Sequence, residues 1–175
     1  MKIRKGTFET NSSSTHSIAI SKNKVNIPVG HSINFHIGEY SWEESEYSFP
    51  NYMYTSLLYN EDAEGLQKLK SILDKWNVKY NFEKPEWEYY NGHRYLRYGY
   101  IDHGDGTFPI MRAIIDDEDL LARALFGDAT VYTGNDNSSE YNSMCYCAEK
   151  YTWEDGKTNN PNHDSEHYDY FFKGN

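Results

Sequence analysis

Two periods run through the pattern of apolar and polar positions in this chain. Leu66, Leu69, Ile72, Leu73 and Trp76 recur at helical spacing, which places them on one stripe of a helix over residues 60–76. Asn60 can cap that helix. Glu61, Asp62 and Glu64 suit its positive end, and Lys70 and Lys75 come late. Residues 116–126 repeat the arrangement: Asp116 or Asp117 caps, Leu120, Leu121, Ala124 and Leu125 form the apolar side, and Gly127 follows the last turn. Alternation marks the strands. Ile33, Phe35 and Ile37 share one face over residues 31–37, with His36 on the other, toward solvent. Residues 78–82 and 130–133 read as further strands.

The clearest local signal is Asn91-Gly92, the preferred pair for a two-residue type I′ turn. It sets Tyr90 against His93, Tyr89 against Arg94, Trp87 against Leu96 and Glu86 against Arg97, all sensible cross-strand pairs. His93 thereby gains a structural explanation. The elements predict an α+β fold: one domain over residues 1–175 with a mainly antiparallel sheet of about five to seven strands and two principal helices on one face. The polar tail from about residue 152 docks at the edge of the sheet as a last strand.

Composition adds limits. A chain of 175 residues can hold one real core. No apolar run approaches membrane-spanning length. There is no apolar leader segment, and there are two cysteines. These features lead us to expect a reducing, cytoplasmic setting rather than a disulfide scaffold. Seventeen tyrosines exceed what a small core needs, so some should occupy half-buried surfaces and interfaces. The net charge is −10, yet residues 1–25 carry +4 and the remainder −14. Residues 39–64 contain seven acids and no Lys or Arg, with aromatics interleaved. That stretch is either a solvated acidic face or a surface that imitates nucleic-acid phosphates for a basic partner.

Candidate chemistry sits in three polar segments. Asn11-Ser12-Ser13-Ser14-Thr15-His16-Ser17 precedes Ile18-Ala19-Ile20. Short hydroxyl and amide side chains compete with helix hydrogen bonds, so this is a loop entering a strand. His16, Ile18 and Ile20 then share a face, which puts an imidazole where core meets polar loop. The hairpin's second strand should run on through Tyr98 and Tyr100 to Ile101 and end at Asp102-His103, where Gly104 takes the chain off the sheet. Gly134-Asn135-Asp136-Asn137-Ser138 follows the strand at 130–133. Each segment also reads as an ordinary turn. Cys145 and Cys147 have one residue between them, and His163 and His167 follow. A zinc finger has two to four residues between its cysteines, so no metal site and no cofactor is expected.

The run Lys5-Gly6-Thr7-Phe8-Glu9-Thr10-Asn11-Ser12-Ser13-Ser14-Thr15-His16-Ser17 resembles the opening of a family of small accessory proteins. They occur in phages, prophages and mobile elements of Gram-positive bacteria. Tyr100-Ile101-Asp102-His103 and Thr133-Gly134-Asn135-Asp136-Asn137 are similar to that family's later motifs. After Asp102-His103 this chain departs from the pattern, with Gly104-Asp105 in place of a polar Gln-Ser-like pair. The resemblance implies a phage accessory protein, with anti-CRISPR candidates among its relatives. It also implies that the three polar segments, rather than the apolar positions, are what is shared.

On that footing the segments should converge on one site. His16 and His103 would serve as base and acid in metal-independent cleavage of an RNA phosphodiester. Arg4, Asn11, Ser12, Ser13, Ser14 and Thr15, with Asn135, Asp136 and Asn137, would hold the phosphate and its developing charge. Asp102 or Asp136 would orient an imidazole. A serine nucleophile with His16 as its base is a competing assignment. The expected partner is a host CRISPR effector or its guide RNA in the host cytoplasm. The alternative is a non-catalytic acidic mimic that blocks a nucleic-acid-binding effector.

Overall fold

The computed structural model describes residues 14–41, 45–102, 104–135, 151–152, 157–158 and 166–173. Its centre is a four-stranded antiparallel sheet built from β1 (Ser14–Ser21), β4 (Ser45–Ser48), β9 (Ala129–Asn135) and β12 (Tyr168–Lys173), in the order β12-β1-β9-β4. β1 is buried on both faces: His16, Ile18 and Ile20 on one, Ser17, Ala19 and Ser21 on the other. Strands paired on both edges and covered on both faces form the stiff middle of such a domain.

Four helices pack with it where two principal ones were expected: α1 (Phe49–Tyr59), α2 (Ala63–Lys75), α3 (Thr107–Asp116) and α4 (Glu118–Phe126). α2 and α4 match their predicted stripes. Asp62, not Asn60, caps α2, its carboxylate accepting from Gly65 N at 2.9 Å. Asp117 caps α4 through Asp119 N and Leu120 N. α1 and α3 are the additions. α1 buries residues around its whole circumference, among them Phe49, Tyr52, Met53, Tyr54, Leu57 and Leu58. A helix apolar all round shows no stripe. α3 buries Thr107, Ile110, Met111, Ile114 and Ile115 at helical spacing. Its Pro109 is tolerated because the first turn has no intrahelical partner for that N–H.

The remaining strands form two-stranded ladders. β2 (Ser32–Phe35) pairs with β5 (Lys79–Phe82), and β3 (Glu39–Tyr40) with β8 (Tyr100–Ile101), both parallel. β6 (Trp87–Tyr90) and β7 (His93–Leu96) form the hairpin, in the predicted register. Asn91 and Gly92 sit at φ 50° and 80°, as a type I′ turn requires. His36 lies exposed beside Glu83. β10 (Tyr151–Thr152) and β11 (Lys157–Thr158) make the last small ladder. Among the described residues no helix is long and apolar enough to cross a membrane.

Candidate functional site

The strand register brings two of the three polar segments together. β1 and β9 run antiparallel with Ser14 opposite Asn135, Thr15 opposite Gly134 and His16 opposite Thr133. The start of β1 and the end of β9 therefore share one end of the sheet. Arg4, Asn11, Ser12, Ser13, His103, Asp136 and Asn137 lie outside the described residues, and Ser14, Thr15 and Asn135 are placed by register alone. Asp102 hangs from a different ladder. Its N–H donates to the Tyr40 carbonyl at 2.9 Å, and its carboxylate accepts from Tyr100 Oη at 2.8 Å.

His16 itself is 1 % exposed, and its Nδ1 lies 2.7 Å from Tyr52 Oη on α1. Tyr52 is fully buried, which lifts its pKa well above 10, with the neighbouring Tyr40 adding to the effect. The phenol thus stays protonated. The phenol and the His16 Nδ1 share this one hydrogen bond, and the ring's Nε2 is buried as well. Tyr52 packs edge-on against Tyr40 at 4.9 Å between ring centres, and Tyr40 against Tyr47 at 4.8 Å. Two edge-packed tyrosines, Tyr52 and Tyr40, thus separate the His16 ring from the backbone that carries Asp102. In this arrangement His16 fixes the sheet against α1. A general base would instead need a lone pair within reach of a substrate proton.

The described residues of the 39–64 stretch do not share one acidic–aromatic face. Tyr40, Phe49, Tyr52 and Tyr54 are core residues and Asp62 is buried. Glu61 and Glu64 are exposed where α1 meets α2, and Glu39 is exposed on β3. Glu43 and Glu44 lie outside the described residues.

Among the described residues most of the exposed aromatic side chains gather at and just after the hairpin, which the sequence explained by its turn and cross-strand pairs. Tyr89, Tyr90 and Tyr98 are 74 %, 69 % and 64 % exposed, and Tyr95 and Tyr100 are also largely exposed. Arg94 lies flat over the Trp87 ring, with Cζ 3.7 Å from its centre. Arg97 lies over Tyr98 at 4.7 Å and pairs with Glu86 at 3.0 Å and Glu88 at 3.2 Å. A groove of about 400 Å³ runs between β7 and the wall made by Tyr59, Glu61, Gly99 and Tyr100. A smaller apolar hollow of about 270 Å³ continues past Trp87 and Arg94 to Leu57, Leu58 and Leu66. One signal could have revealed this surface. Residues 86–100 hold a tryptophan, five tyrosines and two arginines, and a two-stranded hairpin can bury only one face.

Among the described residues no group of three or more His, Cys, Asp or Glu could hold a metal ion; Cys145, Cys147 and His163 are outside that set. No protein family model, curated protein or solved structure matches the chain. Its class is therefore read from its own surface: an α+β domain presenting aromatic and guanidinium groups on a projecting hairpin.

Proposed function

We propose that this chain is a stoichiometric binding protein that occupies a basic, nucleic-acid-binding host effector, as a phage-type anti-defence protein would. The observation that carries the reading is the exposed hairpin surface of Tyr89, Tyr90, Tyr95 and Tyr98 with Arg94 and Arg97. Exposed aromatic patches of this kind mark interaction sites, and Tyr, Trp and Arg are the residues that dominate protein interfaces. The net charge of −10 supports a cationic partner, attracted at long range and discriminated by sign. The resemblance of the N-terminal motif to phage accessory proteins points to a defence effector, such as a CRISPR complex in the host cytoplasm. Burial of His16 against Tyr52 favours binding over acid–base chemistry.

The RNA phosphodiesterase remains the second reading, favoured by the shared sheet end of Ser14, Thr15 and Asn135. One experiment separates the two. The chain is titrated into a guide-loaded CRISPR effector, and the RNA is recovered and sized. Binding predicts inhibition that saturates at one chain per effector, with intact RNA. Replacing both Tyr89 and Tyr98 with Ser should raise the concentration needed by about tenfold or more, the scale of losing interface anchors. Many cleavages per chain in the presence of EDTA, lost in a folded His16→Ala variant, would refute binding and establish the phosphodiesterase.

A further inference from the structure

His93, Arg94, Tyr95 and Leu96 all line the 400 Å³ groove. Successive side chains of a strand point to opposite faces. A hollow touched by four consecutive residues therefore takes in the strand's edge, and Trp87 of β6 extends it under the face that carries Arg94 and Leu96. The hairpin sheet has only two strands, so among the described residues no strand pairs with that edge.

The register shows which backbone groups the edge offers. Arg97 N donates to Glu86 O at 2.8 Å, and Tyr90 pairs with His93 across the turn. Hydrogen-bonded and non-hydrogen-bonded pairs alternate in an antiparallel ladder, so Tyr89–Arg94 and Trp87–Leu96 are the non-bonded pairs. The N–H and C=O of Arg94 and the N–H of Leu96 accordingly point into the groove. The Leu96 carbonyl is taken by Gly99 N at 3.3 Å. Natural edges are usually blunted by charge, proline or a cover. Here the strand's one fixed cation within the groove, Arg94, is folded down onto Trp87.

Backbone strain gathers at the same place. Four non-glycine residues have positive φ among the described residues: Glu61, Asn77, Asn91 and Tyr98. Asparagine tolerates this conformation. Glu61 at 50° and Tyr98 at 57° do not suit it; each costs roughly 1–2 kcal/mol. Glu61 lines the groove, and Tyr98 sits in the turn between Leu96 and Gly99, which both line it. Strained residues persist where the surroundings dictate them, and they cluster at binding and catalytic sites.

We propose that the free edge of β7 captures an extended, lysine- or arginine-bearing segment of a partner protein as a third strand. Arg94 and Leu96 supply the main-chain hydrogen bonds, as in other strand-addition complexes. Glu61 and the faces of Tyr59 and Tyr100 receive the segment's cationic side chains. The charge of −10 and the carboxylate on the far wall select a cationic segment over an acidic one. The identity of the parent protein rests on the binding function proposed above; the edge itself does not.

The test uses the full chain and a short fluorescein-labelled peptide of alternating valine and lysine, read by fluorescence anisotropy. The peptide should bind, and the Arg94 and Leu96 amides should gain protection from hydrogen exchange. Arg94→Ala keeps the outward N–H and removes only a charge of the peptide's own sign, so it should bind at least as tightly as the parent. Arg94→Pro removes that N–H without touching a bond to β6, and should bind about tenfold more weakly than Arg94→Ala. Glu61→Lys should reverse the preference toward a valine–glutamate peptide. Near-ultraviolet circular dichroism confirms that each variant is folded. Equal binding by folded Arg94→Ala and Arg94→Pro overturns the proposal. So does binding without protection at Arg94 and Leu96, or a single-stranded oligouridine that occupies the groove in place of the peptide. Effector inhibition that survives Arg94→Pro would sink the edge while leaving the binding function standing.

Discussion

Raising the pH should unfold this protein through two buried phenols. Tyr40 is 3 % exposed and Tyr52 fully buried. Burial is the main cause that pushes Tyr40 from 10.0 up to about 12, and it pushes Tyr52 well above 10. In the unfolded chain both ionise near pH 10. Above that pH the unfolded state has released protons that the folded state still holds, so stability falls as pH rises. The contribution is whole below pH 10 and is lost through the window up to the folded pKa. Each phenol gives a slope of about 1.4 kcal/mol per pH unit. Over the two units between 10.0 and about 12, Tyr40 accounts for about 2.7 kcal/mol, and Tyr52, raised by burial too, adds in the same direction. The Tyr40 share alone is a large fraction of the roughly 5–15 kcal/mol that holds a typical domain folded. Tyr100 is also raised to about 12, by burial and by its bond to Asp102, but it is 45 % exposed and its share is discounted. The assay is the urea midpoint at stepped pH by circular dichroism, with tyrosinate absorbance recorded in parallel. The last tyrosines to ionise should do so in step with unfolding, and Tyr52→Phe should make the slope shallower by one phenol's share, about 1.4 kcal/mol per pH unit, leaving those of Tyr40 and the buried Tyr54. A flat urea midpoint through this window would refute the reasoning. Titration of all seventeen tyrosines in one step near pH 10, in a chain that stays folded, would refute it as well.

Two substitutions probe the elements that carry the hairpin surface. Asp62 caps α2 and accepts from Arg112 Nη2 at 2.5 Å while buried. Asp62→Ala should therefore cost about 2–4 kcal/mol in urea unfolding, from the lost cap and a guanidinium left with only Glu64; a loss below about 1 kcal/mol would show that the pair is not structural. At Gly92 a Cβ would meet nothing within 4 Å, yet φ is 80°. Gly92→Val should thus cost about 1–2 kcal/mol from backbone strain alone, and Gly92→Asn should be nearly silent, with hydrogen exchange at the hairpin amides as the readout. Equal protection in the valine and asparagine variants would count against the turn assignment.

The hairpin register was legible from residues 86–97 because its determinants are adjacent: a two-residue turn defines its conformation and with it every cross-strand pair. The stripes of α2 and α4 were legible for a similar reason, since one buried face repeats every 3.6 residues. The polar character of the β1 entry was also written in Asn11 to Ser17, as was the shared face of His16, Ile18 and Ile20. Tertiary structure decided the rest. α1 has no period to read, because packing against β4, β9 and α3 covers it on several sides. The parallel pairing of β2 with β5 and of β3 with β8 joins residues 47 and 61 positions apart, Ser32 with Lys79 and Glu39 with Tyr100. The role of His16 depends on Tyr52, 36 positions away, reaching back from a helix that no local pattern announces. The groove beside β7 is likewise a property of two walls, and the far one comes from Tyr59, Glu61 and Tyr100. Periodicity records which residues are buried, but the partners that bury them are chosen by contacts distant in sequence, and those contacts decide what a histidine's ring nitrogens meet.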